Sequence, residues 1–209
     1  MDDCNKVLLL HGVWMSGLEM SLLRRRLVRD GFQVDVFRYP SLRRTPRENA
    51  ARLQRHIREA AYGCLHLVAH SLGGLVVLNL FHHFPAQPPG RVVLLGSPVR
   101  GSGVARAVAG RRWLRPLLGR SGEAGLLDGA PPWAGKRPLG IIAGTSGIGI
   151  GRLLGGLQGE SDGVVAVSEA LVGNAEDTRL LPCNHMGLLF DARVASDVST
   201  FLRQGRFPP

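Results

Sequence analysis

The chain is poor in the residues that mark several large classes of protein. Of its 209 residues only Cys4, Cys64 and Cys183 are cysteine, and they stand far apart without metal-ligand spacing. That predicts neither a zinc site nor a disulfide framework and points to a reducing compartment. Long apolar runs are missing too. Val7 to Leu10, after an acidic start at Met1, Asp2 and Asp3, is far too short for a secretion signal or a membrane span, so a cytoplasmic location is expected. No internal repeat or linker interrupts the chain, and its length suits a single domain, 1–209, around one core.

Lysine is almost absent, Lys6 and Lys136 being the only two, so the formal net charge of +10 is carried by arginine. Such a field admits nucleic acid, anionic lipid or acidic partners. The arginines are scattered, however, and no nucleic-acid module signature accompanies them. A solvated basic surface accounts for them, and no nucleic-acid partner is expected. With 44% hydrophobic and 20% charged residues the composition is that of a folded globular protein.

Short apolar runs alternate with amphipathic stretches. Val7 to Leu10 reads as a strand buried on both faces. Leu18, Leu22, Leu23 and Leu27 share one helical face, with Gly31 as the stop. Phe32 to Tyr39 alternates as a second strand closed by Pro40. Thr45-Pro46-Arg47-Glu48 has the form of a capping box, with Ala50, Leu53, Ile57 and Ala60 continuing the helix. Leu65 to Ala69, Val92 to Leu95, Leu139 to Ala143 and Thr178 to Leu181 complete the strands, with helices over Leu72 to Phe81 and Leu188 to Leu202. The alternation predicts an α/β fold: a mainly parallel sheet of about six strands, helices on both faces, and active residues at the C-terminal strand ends. Residues 97–137 lose all periodicity and are read as a lid or flap.

The densest chemistry lies at Ala69-His70-Ser71-Leu72-Gly73-Gly74, where a serine joins a buried strand to a buried helix. This has the shape of a nucleophile elbow, which strains the backbone to lift the hydroxyl above the sheet and needs small residues two positions either side. Ala69 and Gly73 meet that need. A serine hydroxyl needs a base and the base an orienting acid. His185, between the last strand and last helix, and Asp162, after a glycine-rich loop, follow in the order Ser, Asp, His. Asp177 and Asp191 are nearer His185 in sequence but are expected before the last strand and inside the last helix. His66 falls inside a strand and reads as structural. The amides of Leu72 and Val13 are the expected oxyanion donors, with His11 buttressing the Val13 loop.

His11-Gly12, the elbow, Ser161-Asp162-Gly163-Val164-Val165 and His185-Met186-Gly187-Leu188-Leu189 together resemble the small bacterial lipases and esterases of the α/β-hydrolase superfamily. Gly96-Ser97-Pro98 with Gly101-Ser102 is similar to a wider lipase-like group that includes inositol deacylases. The resemblance implies hydrolysis of a small-molecule or lipid ester through an acyl-enzyme, an oxyanion hole from Val13 and Leu72, and neither metal nor cofactor. A thioesterase, acyltransferase or amidase would use the same constellation, and a binding protein with a vestigial site and a basic surface is a reading of another class. Gly144-Thr145-Ser146-Gly147-Ile148-Gly149 looks like a shortened dinucleotide turn but lacks the helix and ribose-binding acid such a site needs. The mix of Val104, Val108, Trp113, Leu114, Leu117 and Leu118 with arginines over 99–120 suggests peripheral contact with anionic membrane lipid. Neither acyl preference nor oligomeric state is encoded legibly.

Overall fold

The computed structural model describes residues 4–209, less the side chains of Glu123, Ile150 and Arg152; Met1, Asp2 and Asp3 of the acidic start lie outside the described residues. Six strands, β1 (Lys6–Leu10), β2 (Gln33–Phe37), β3 (His66–His70), β4 (Val92–Leu95), β5 (Leu139–Gly144) and β6 (Asp177–Leu181), form one sheet in the order β2-β1-β3-β4-β5-β6. Every neighbouring pair is parallel.

Alternate residues feed two cores, one on each face. Leu8 and Leu10 of β1, with Leu67 and Ala69 of β3 and Leu94 of β4, pack against α2 (Pro46–Ala60) and α3 (Leu72–His83). Val7, Leu9, Val68, Val93 and Leu95 meet α1 (Ser21–Arg29) and the C-terminal helix on the opposite face. Because both faces of the central strands are covered, β1, β3, β4 and β5 read as near-continuous apolar runs, whereas the edge strands β2 and β6 keep exposed alternate residues. Every residue from Leu72 to Phe81 is buried, so α3 is apolar all round. The capping box of α2 forms as expected: Thr45 Oγ1 accepts from the Glu48 N–H at 3.2 Å, and the Thr45 N–H donates to Glu48 Oε2 at 2.8 Å.

Several expectations are corrected. Leu18 is exposed and Met20 takes its place in the core, because a short tight helical turn over Leu18–Met20 precedes α1 and shifts the buried face. The second strand is confined to β2, two residues inside the expected end, since Tyr39 leaves the sheet to support the β1 loop. Asp177 opens β6 rather than preceding it. The last helix is split: Asp191 stands between two helices and caps the second through a 2.8 Å bond from the Arg193 N–H.

The cysteine reading is overturned, because Cys4 and Cys64 form a disulfide. They lie 60 residues apart in sequence, but β1 and β3 are adjacent and in the register Val7↔His66, which brings the segments before the two strands together. Cys183 is free and buried. Disulfides persist mainly in oxidising compartments, so the cysteines no longer argue for a reducing one. No helix among the described residues is long and apolar enough to cross a membrane.

Residues 97–137 are built of α4 (Gly103–Ala109) and short irregular turns over 115–126. Val99, Ala105, Val108, Leu118, Leu126 and Trp133 belong to the same core as α3, and Trp133 meets Phe81 edge-on at 4.7 Å between ring centroids.

Candidate functional site

Ser71 sits at the turn from β3 into α3 with φ 54 and ψ −121, one of three positive-φ non-glycine residues among those described. Strain of this kind costs about 1–3 kcal/mol and persists where the surroundings enforce it. They do so here: the Ser71 N–H donates to Leu95 O at 2.9 Å and its carbonyl accepts from the Gly74 N–H at 3.0 Å. The close approach of α3 to the end of β1 and to the end of β4 explains the two glycines. A Cβ at Gly73 would lie 2.8 Å from Leu10 O, and one at Gly74 2.5 Å from the Ser97 Cβ. As the first N–H of α3, that of Leu72 has no intrahelical acceptor.

Asp162 and His185 meet beside this turn. Asp162 is 1% exposed, and its Oδ1 accepts from the N–H groups of Val164 at 2.9 Å and Val165 at 2.7 Å. Its Oδ2 faces His185 Nδ1 at 2.6 Å. A carboxylate oxygen can only accept, so the proton is assigned to Nδ1 and Nε2 is left with its lone pair. The main chain locks the pair again: the His185 N–H donates to Asp162 O at 2.8 Å. Asp177 and Asp191 are engaged elsewhere, Asp177 by the Phe207 N–H at 2.7 Å and Asp191 by Arg193 at 2.6 Å.

His70, next to Ser71, joins the serine to the pair. Its ring lies 4.6 Å from that of His185, and Nε2 donates to His185 O at 3.1 Å. Nδ1 is buried without a partner. Enclosure, followed by the field of His185, holds this imidazole well below its ordinary pKa of 6.5 and therefore neutral. The Ser71 hydroxyl makes no hydrogen bond among the described residues. Catalytic hydrogen bonds are often long in unliganded sites and tighten on substrate.

The loop after β1 closes the other side. Tyr39 stacks on His11 at 4.3 Å and donates its hydroxyl to His11 O at 2.6 Å. The Tyr39 N–H reaches His11 Nε2 at 3.4 Å, leaving Nδ1 to donate to Gly12 O at 2.9 Å. Burial lowers the His11 pKa, which suits a neutral ring with one donor and one acceptor. The Val13 N–H has no protein acceptor among the described residues, and Trp14 follows at φ 59.

Three contributors escaped the sequence reading. Gly96, at φ 51, leaves space that a Cβ would fill at 2.8 Å from Asp162 Oδ2 and 3.2 Å from His185 Nδ1; the sequence marks it only as part of Gly96-Ser97-Pro98, without a role beside the pair. Tyr39 carries no motif. Glu169 accepts from Gly103 N–H at 2.5 Å and Ala166 N–H at 3.0 Å, strapping the start of α4 to the segment after Asp162. The expected structural role of His66 matches its bonds, Nε2 to Cys4 O at 3.0 Å and Nδ1 to the Arg91 N–H at 2.9 Å.

Against known proteins, the profile of the alpha/beta hydrolase family matches residues 7–197. No curated protein sequence matches the chain. Among solved structures, the mature Bacillus licheniformis lipase BlEst2 is similar with a TM-score of 0.76 at 20% identity, over 97% of this chain and 92% of that one. The metagenomic carboxyl esterase MGS0156 has a TM-score of 0.65 at 17% identity, over 88% and 65%. Phospholipase PlaB from Legionella pneumophila has a TM-score of 0.60 at 18% identity, over 79% and 44%. At these identities the likeness is one of fold.

Proposed function

Since the chain belongs to the alpha/beta hydrolase family over nearly its whole length, we propose that it hydrolyses carboxylic esters, with Ser71 as nucleophile, His185 as base and Asp162 as orienting acid. The observation that carries this reading is the buried 2.6 Å His185–Asp162 pair set beside a strained serine at a strand–helix junction. The lipase and esterase neighbours support the substrate class.

In this mechanism His185 Nε2 takes the Ser71 proton as Oγ bonds to the ester carbon. The N–H groups of Leu72 and Val13 receive the oxyanion, where loss of one donor typically costs about 2.7–4 kcal/mol. His185 then protonates the departing alcohol, and the same ring activates the water that releases the acid. The substrate is a small-molecule or lipid ester, met in solution or at an anionic membrane surface, with 97–137 acting as the lid beside the site. Thioester hydrolysis and acyl transfer would use the same atoms. The Cys4–Cys64 bridge favours an oxidising compartment over the cytoplasm.

A graded series of p-nitrophenyl esters, with fluorophosphonate labelling, tests the reading. Wild type should turn over at least the shorter esters and take up the label, and Ser71→Ala should lose both, with turnover down by several orders of magnitude and unfolding unchanged. Wild-type rates in that variant would move the chemistry to another residue. Labelling without ester turnover would favour the thioester or acyl-transfer variants, and neither would favour a binding protein.

A further inference from the structure

Ten large apolar side chains are exposed among the described residues; of these Trp14 stands in the loop after β1, Trp113 and Leu117 between β4 and β5, and Leu153 between β5 and β6. Hydrogen bonds make part of this set contiguous. Trp14, 58% exposed, donates its indole N–H to Leu117 O at 2.9 Å, and Leu117 is itself 48% exposed. Arg111, at the other end of the same tip, donates to Leu154 O at 3.0 Å, which brings in Leu153 at 86% exposure. Trp113, two residues after Arg111 and four before Leu117 in sequence, is 77% exposed. Contiguous apolar patches on a protein surface mark contact sites.

The charge on this tip is one-sided. Residues 111–120 contain Arg111, Arg112, Arg115 and Arg120 and no acidic residue. Arg111 bonds the backbone carbonyls of Ala107 and Leu154 and no carboxylate among the described residues, and Arg120 pairs with Glu48 at 3.0 Å. Arg112 is exposed and has no partner among the described residues. Indole and leucine tips beside guanidinium groups fit the boundary between acyl chains and anionic headgroups. A second copy of the chain fits poorly, because it would set one arginine cluster against another.

We propose that this rim docks the protein on an anionic lipid bilayer, with Trp14, Trp113, Leu117 and Leu153 entering the interface and Arg111 and Arg112 meeting lipid phosphates. Docking would turn the Ser71 edge toward the ester bonds of the bilayer; that consequence rests on the ester-hydrolase reading, whereas the docking itself does not.

Co-sedimentation of the Ser71→Ala protein with phosphatidylcholine vesicles, with and without phosphatidylglycerol, at physiological salt measures docking without turnover. Sedimentation is expected only with phosphatidylglycerol, weakened about tenfold by Trp113→Ala and at least tenfold by Arg112→Glu. Both variants should keep the wild-type urea unfolding midpoint, so that lost sedimentation is not lost fold. Absence of sedimentation, equal binding to neutral vesicles, or insensitivity to both substitutions would overturn the proposal, as would a stable dimer or an acidic protein that covers Trp113. Soluble-ester turnover without sedimentation refutes docking alone; sedimentation of wild type without ester turnover refutes the hydrolase reading alone.

Discussion

The two rims of the sheet are built on opposite terms. Where β1 and β3 begin, a disulfide joins Cys4 to Cys64 and both ring nitrogens of His66 are engaged. Where the strands end, the backbone is strained at Ser71 and Trp14, and His70 Nδ1 and Ser97 Oγ are buried without partners. Covalent fastening lies at one rim; at the other, buried polar groups without partners stand next to a strained serine. Residues that break local rules are expected where a site must be preorganised, and this combination supports placing the site at the Ser71 rim.

The sharpest way to break this contrast is at the site. Asp162→Asn should cut ester turnover by roughly 10⁴-fold, as expected when an imidazole is left in the wrong tautomer, and rate measurements on a soluble ester read this directly. Stability should move far less than activity. At the opposite rim the order inverts. Replacing Cys4 and Cys64 together by serine should lower unfolding free energy by about 4 kcal/mol from the entropy of a loop of this length, with turnover of the folded enzyme unchanged; urea unfolding and kinetics on the same sample decide it. A large loss of activity in the folded variant would mean that the rims are not separable.

The smallest effect is the pH response of the fastening rim. Burial, opposed by the bond to Cys4 O, lowers the His66 pKa from its ordinary 6.5 to about 4. As pH falls through 6.5 the unfolded chain takes up a proton that folded His66 refuses until about pH 4. Stability is therefore full above the unfolded pKa and declines below it, by about 2 kcal/mol between pH 7 and pH 5 from this group. His11 and His70 shift in the same direction, so the measurement is the difference between wild type and His66→Gln in urea at the two pH values. A difference independent of pH would remove His66 from the account.

How much of this was legible in the sequence follows from the range of each interaction. Val92 to Leu95 has its observed bounds because a strand buried on both faces writes itself as an unbroken apolar run. Thr45 and Glu48 are three residues apart and cap their helix locally. Strand–turn–helix order singles out the loops that carry Ser71, Asp162 and His185, and the structure brings Asp162 and His185 into contact at 2.6 Å. What could not be read depends on register between distant segments: the Cys4–Cys64 bridge, the space beside Gly96, the stacking of Tyr39 on His11. The segment 97–137 is opaque for a related reason. Its turns are ordered by partners outside it, among them Glu169 and the main chain of Leu42, which accepts from the Arg120 N–H at 2.9 Å.

The hold on His185 has a further meaning. Its amide, its carbonyl and one ring nitrogen are each engaged, by Asp162 O, by His70 and by the Asp162 carboxylate. Freedom of the peptide and rotation of the ring are surrendered once, when the last strand and its neighbours come together. The orientation of the imidazole is thus inherited from folding, and an incoming ligand finds it already set.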